Sequence, residues 1–191
     1  MTRKKSDSPN DVLNTVLENA CDLRNRTLYV TGDIDEACSY RFIVGLHTLE
    51  HDAGPITVFL NTSGGYCTEG FAIYDAMKHA GNPIYVIGSG QVSSMGTIII
   101  QAGDKRLLSP NCEFFVHNVR DEVVFDVDVN MAGTLLRDLK RLHERGLDIL
   151  ASRSSLSKEQ IEKYCRDNTT FTAREAVQHG FADGVTEPRR K

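Results

Sequence analysis

A chain of 191 residues, 40% hydrophobic and 25% charged, can bury one sizeable core, and its length favours a single α/β domain over two. A net charge of −4 offers no attraction to a polyanion, which argues against DNA or RNA as a partner. Five scattered cysteines (Cys21, Cys38, Cys67, Cys112 and Cys165), with no Cys-x-x-Cys pair or Cys/His cluster, indicate neither a disulfide framework nor a zinc site, and no apolar run is long enough to span a membrane.

The basic start, Met1 to Pro9, is followed by polar residues where a signal peptide would have its apolar core, so an intracellular, cytoplasmic location is expected. Residues 1 to about 10 read as flexible, and residues 11 to 23 carry Val12, Leu13, Val16, Leu17 and Ala20 at helical spacing. Thr27 to Thr31 is a short β-favouring run closed by Gly32, and residues 35 to 50 return to a helical pattern on Phe42, Ile43, Leu46 and Leu49. Ile56 to Leu60 and Ile84 to Ile87 are two further strands, separated by a helical stretch with Phe71, Ile73, Tyr74 and Met77. Such alternation implies βαβ crossovers and a mostly parallel sheet.

Two short strands, Lys105 to Leu108 and Glu113 to His117, precede a long helical pattern over about residues 129 to 153, carried by Val129, Leu135, Leu136, Leu139, Leu142, Leu147 and Leu150. Such a helix runs roughly 35 Å, about the diameter of a small domain, so it should project from the fold and need a partner surface for its apolar stripe. Oligomerisation follows. Two short helices close the chain, each opened by a capping box, Ser157-x-x-Gln160 and Thr172-x-x-Glu175.

Ser94 stands in Gly90-Gln91-Val92-Ser93-Ser94-Met95-Gly96, a hydroxyl at a glycine-flanked turn that opens the apolar run Thr97 to Ile100. A nucleophilic serine needs a base and a set of donors for the oxyanion of a tetrahedral intermediate. His117, at a strand end, could be the base, the Met95 amide at a helix start a donor, and Gly65, in the tight turn Asn61-Thr62-Ser63-Gly64-Gly65, a second close amide. Each residue alone has an ordinary structural explanation: Ser94 as a helix N-cap, His117 as a satisfied histidine, Gly64-Gly65 as a turn. The Gly-x-Ser-x-Gly elbow of α/β-hydrolases is absent, since Val92 holds the first glycine position.

From about Arg26 to Val185 the chain resembles the Clp protease proteolytic subunit, ClpP. The resemblance rests on Asn61-x-Ser63-x-Gly65, Ala72-Ile73-Tyr74-Asp75-x-Met77, Gly90-Gln91-x-x-Ser94-Met95-Gly96 and Ala173-x-Glu175-Ala176-x-x-x-Gly180-x-x-Asp183. It implies a ClpP/crotonase-like spiral of βαβ units with a projecting handle helix, residues 1–25 forming a flexible N-terminal segment with a short helix and 26–191 the peptidase domain. It also implies a serine endopeptidase, without cofactor or metal, that cleaves unfolded proteins or short peptides bound by strand addition beside Gly65. Ser94 would be the nucleophile, His117 the general base and then acid, and the Gly65 and Met95 amides the oxyanion hole. The implied assembly is a homo-oligomer of two stacked heptameric rings enclosing the active sites, a tetradecamer served by an AAA+ unfoldase of the ClpX, ClpA or ClpC kind.

Three departures from the family pattern shape these expectations. Aligning Phe171-Thr172-Ala173 with the C-terminal signature puts Asn168 where the triad aspartate stands. An asparagine carbonyl can still accept the histidine Nδ1–H but brings no charge to an imidazolium, and an acid-to-amide change costs about 10⁴ in kcat where the wrong tautomer is held. After His117 the chain reads Asn118-Val119-Arg120-Asp121-Glu122 where the family has Gln-Pro and glycines, which alters the loop that pairs the rings. Thr57 occupies the position of a docking-pocket tyrosine, with Phe59 nearby, which weakens the expected unfoldase anchor. Two alternatives remain at this level: a weakly active ring subunit that supports a paralogue, and a crotonase-type acyl-CoA enzyme using the same oxyanion geometry.

Overall fold

The structure, a computed structural model, describes residue 13, residues 16–120 and residues 128–187. The flexible stretch expected before about residue 10 lies outside these, as do Asp121 and Glu122 of the charged loop; residues 16–19 are helical. Among the described residues no helix is long and apolar enough to cross a membrane.

The chain folds as an α/β spiral. Strands β1 (Cys21–Asp22) and β2 (Thr27–Ile34) lead to helix α1 (Glu36–Leu49), β3 (Ile56–Gly65), α2 (Cys67–His79), β4 (Ile84–Ser93) and the short α3 (Met95–Ile99). After a 3₁₀ turn over Ile100–Ala102 come β5 (Lys105–Leu108), β6 (Glu113–Phe115), the long α4 (Val129–Ser152), α5 (Lys158–Arg166), β7 (Thr170–Thr172), α6 (Ala173–Gln178) and β8 (Gly184–Val185). The sheet order is β1-β2-β3-β4-β5-β8, and β2 through β5 pair in parallel, as the strand–helix alternation requires.

Two turns expected from glycine are continuous strand. β2 does not close at Gly32 but bulges there, with a register shift between Thr31 and Asp33, and runs on to Ile34. β3 likewise continues through Asn61 to Gly65, alternating buried and outward residues without interruption. The physical cause is lateral pairing: Asp33 and Ile34 sit opposite Gly64 and Gly65, and the buried Thr62 hydroxyl donates to the Gly32 carbonyl (2.5 Å) while accepting from the Gly64 amide (3.0 Å). Neighbouring backbone thereby overrides turn-forming composition.

β4 forks. Its first half, Tyr85 to Gly88, pairs with β5, while its second half, Gln91 to Ser93, pairs with β6, and β6 in turn carries the antiparallel β7. Phe114, fully buried on β6, stacks on Phe181 (5.0 Å between ring centres), so the fork is fixed to the core. Only Leu147 and Leu150 of α4 are fully buried, whereas Val129, Met131 and Leu136 nearer its start are exposed. A buried cation fastens the docked end: Arg106 on β5 binds the Asp183 carboxylate (2.5 Å) and donates to Gln101 Oε1 (2.5 Å) and to the Arg153 carbonyl just after α4 (2.8 Å).

Candidate active site

Ser94 follows the last residue of β4 and precedes the first of α3, with φ 53° and ψ −120°. A non-glycine residue with positive φ in this region costs on the order of 1–3 kcal/mol and is held only where surroundings impose it. Its amide donates to the Phe115 carbonyl (3.0 Å) and its carbonyl accepts from the Thr97 amide (2.9 Å) and hydroxyl (2.6 Å), so strand β6 and helix α3 fix it from both sides. The ordinary N-cap explanation fails on geometry, because the Ser94 side chain makes no capping bond to α3. Its hydroxyl lies over Gly64, where a Cβ would fall 2.5 Å from Ser94 Cβ and 2.9 Å from Oγ. At Gly65, with φ 154°, a Cβ would run into the Ile34 backbone. The paired glycines therefore bring the β3 backbone up to the serine in a way no side chain permits.

A pocket of about 150 Å³ gathers Gly65, Ser94, Met95 and His117 at its rim. Phe71, Ile98, Leu142 and Leu147 make it apolar, so a substrate side chain beside Ser94 would be shielded from water. The Met95 amide is a first-turn N–H without a partner inside its helix. Cys67 and Cys165 also line the pocket; burial pushes the Cys165 thiol up to about 11, which removes it as a competing nucleophile at neutral pH.

His117 follows β6 and stacks on Phe115 (5.3 Å). Burial lowers its pKa below the ordinary histidine value, a bond to the Asn118 carbonyl opposes that, and the Arg120 charge lowers it further. The net effect is a neutral imidazole at pH 7, the form that can accept a proton. Among the described residues, Ser94 Oγ and His117 share the pocket without a hydrogen bond between them. His117 Nδ1 contacts the Asn118 carbonyl (2.6 Å) and accepts from Arg120 Nε (3.2 Å).

Asn168 is exposed, does not line the pocket, and is not bonded to His117. Its φ of 51° is left-handed, and it ends α5 in a Schellman arrangement: the Asn168 amide donates to the Cys165 carbonyl (3.2 Å) and the Thr169 amide to the Tyr164 carbonyl (3.1 Å). The Val116 amide then donates to the Thr169 carbonyl (3.0 Å), which keeps this segment beside the histidine's strand. Four of the five residues singled out from sequence thus converge on one pocket, with the fifth one strand away. The Asn118 carbonyl and Arg120 were not anticipated; a backbone carbonyl has no signature in sequence, and Arg120 reads there only as loop charge.

The Clp protease family model matches residues 12–189. The chain is similar to the ATP-dependent Clp protease proteolytic subunit of Lactococcus lactis subsp. lactis, 29% identical over 169 residues, covering 86% of this chain and 85% of the relative. It is similar also to the ATP-dependent Clp protease proteolytic subunit 2 of Pseudomonas aeruginosa, 30% identical over 172 residues, covering 88% of this chain and 85% of the relative. Among solved structures, an asparagine-to-aspartate variant of ClpP1 from Listeria monocytogenes matches with a TM-score of 0.81 at 26% identity, covering 93% of this chain and 98% of that one.

Proposed function

Since the chain belongs to the Clp protease family, we propose that it is a serine endopeptidase in which Ser94 attacks the peptide carbonyl and His117 moves the proton. The observation that carries this assignment is the Ser94 elbow: a strained serine with an uncapped hydroxyl, opening onto an apolar pocket shared with a neutral histidine. With the ring proton on Nδ1 and given to the Asn118 carbonyl, Nε2 has a lone pair to receive the Ser94 proton once the ring turns onto Oγ. The oxyanion of the tetrahedral adduct would accept from the Gly65 and Met95 amides. His117 then returns the proton to the leaving amine, and water releases the acyl group by the same steps in reverse roles.

Asn168 is proposed as the third member: β7 and the His117 strand are already paired, so its side-chain carbonyl would accept from Nδ1–H once the two side chains turn toward each other. The absent Ser94–His117 bond and the neutral Asn168 favour a second possibility, a subunit of low intrinsic activity within a mixed ring. The crotonase-type acyl-CoA alternative gains nothing from the pocket, since no carboxylate lines it among the described residues. Substrates are unfolded proteins or short peptides, added as a strand beside β3. The assembly is a pair of stacked heptameric rings in the cytoplasm. An AAA+ unfoldase docks on the face where Phe59 stacks on Tyr29 (5.7 Å), an aromatic pair retained although Thr57 replaces the tyrosine.

The test is fluorophosphonate labelling together with cleavage of a fluorogenic peptide. Wild-type protein should label and Ser94→Ala should not; an unlabelled, inactive wild type overturns the peptidase assignment.

A further inference from the structure

We infer that Arg120 selects the tautomer of His117, acting as a positioning residue that opposes the base until its side chain is withdrawn. This rests on the proposal that His117 is the general base. Nδ1 of His117 has two partners that cannot be satisfied together. The Asn118 carbonyl, at 2.6 Å, can only accept, so that contact requires a proton on Nδ1. Arg120 Nε, at 3.2 Å, can only donate, so that contact requires a lone pair on the same atom.

A neutral imidazole carries one ring proton. When it sits on Nδ1, Nε2 is free to take the Ser94 proton. When Arg120 occupies Nδ1, the proton is displaced to Nε2, and the nitrogen that should face Ser94 becomes a donor. The catalytic step also turns His117 into a cation, which loses the Arg120 bond and meets a guanidinium at close range. Arg120 therefore disfavours both the competent ground state and the charged intermediate. Nothing in the pocket offsets this: the other titratable groups lining it are His143 of α4 and the thiols of Cys67 and Cys165, and none among the described lining residues is a carboxylate. Arg120 is exposed, so its departure costs little packing.

The experiment measures the rate of fluorophosphonate labelling of the full chain against pH for wild type, Arg120→Met and Arg120→Lys, with Ser94→Ala and His117→Ala as controls. Arg120→Met removes both donor and charge: the plateau should rise by roughly fivefold, equivalent to about 1 kcal/mol, and the acid limb should move to higher pH. Arg120→Lys restores the charge and should return the limb toward its wild-type position. A merely structural arginine would give a lower plateau with an unmoved limb, and that result, or an unchanged profile, overturns the inference. Failure of the base assignment is distinct from this, since His117→Ala would then label like wild type.

Discussion

At the scale of single residues, the site's chemistry depends on how few groups share one proton. His117 is held below the ordinary histidine value by burial and by Arg120, and in its proposed role as base the neutral form is the active one. Labelling by a fluorophosphonate should therefore rise with pH and reach half its plateau below about 6.5, the unperturbed histidine value; a midpoint above it would contradict the burial. Asn168 carries two separable duties, one at the helix end and one proposed in the triad. As the left-handed residue closing α5, it should tolerate glycine, whereas Asn168→Val places a branched side chain at φ 51° and should cost about 1–2 kcal/mol in thermal unfolding. Asn168→Asp should leave peptidase activity equal or higher, and a collapse of activity without unfolding would show that the amide itself is required.

At the scale of elements, much of the fold was legible because periodicity and caps are local. Both capping boxes form as read, with Ser157 accepting from Gln160 N and Thr172 from Glu175 N, and α1 begins where Asp35 caps the Cys38 amide. What could not be read is set by neighbours. Gly32 and Gly64-Gly65 look like turns until β2 and β3 pair across them, and β7 is three residues long, too short for alternation to register. Ser94 was legible from its glycine-flanked motif and the family resemblance, but that its hydroxyl caps nothing depends on backbone angles imposed by β6 and α3. The Arg106–Asp183 pair was seen only as a signature aspartate, yet it ties β5 to the segment before β8 and to the end of α4. Burial pulls the Asp183 pKa up, but the bonds and charge from Arg106 outweigh it and hold the carboxyl below its usual range. A depressed carboxylate stabilises the fold above its unfolded value of about 3.9, and that contribution is lost as pH falls through the lower folded-state value. Asp183→Asn should flatten this acid dependence and cost about 3 kcal/mol in denaturant unfolding, because Arg106, only 7% exposed, would be left unpaired.

At the scale of the whole molecule, α4 is attached by its last turns and bare along its first. Val129, at 89% exposure, and Met131 and Leu136, both more than half exposed, are apolar residues that a lone subunit has no use for. In the proposed stacked-ring assembly, pairing of the handles would cover them. Leu136→Asp should then release smaller species in native mass spectrometry while each subunit melts near the wild-type temperature; a stable monomer of the wild-type chain would contradict the handle's role.

The fork in β4 has a consequence for how such a site can change over generations. Ser94 and His117 flank strands locked into one ladder and into the Phe114–Phe181 stack, so the backbone that positions them is tied to the core. Asn168 sits at an exposed helix end just before β7, the last strand of that ladder, where the fold uses its left-handed backbone. As the proposed third member, Asn168 can therefore exchange amide for acid without a folding penalty, so proteolytic strength is adjustable there on an unchanged scaffold.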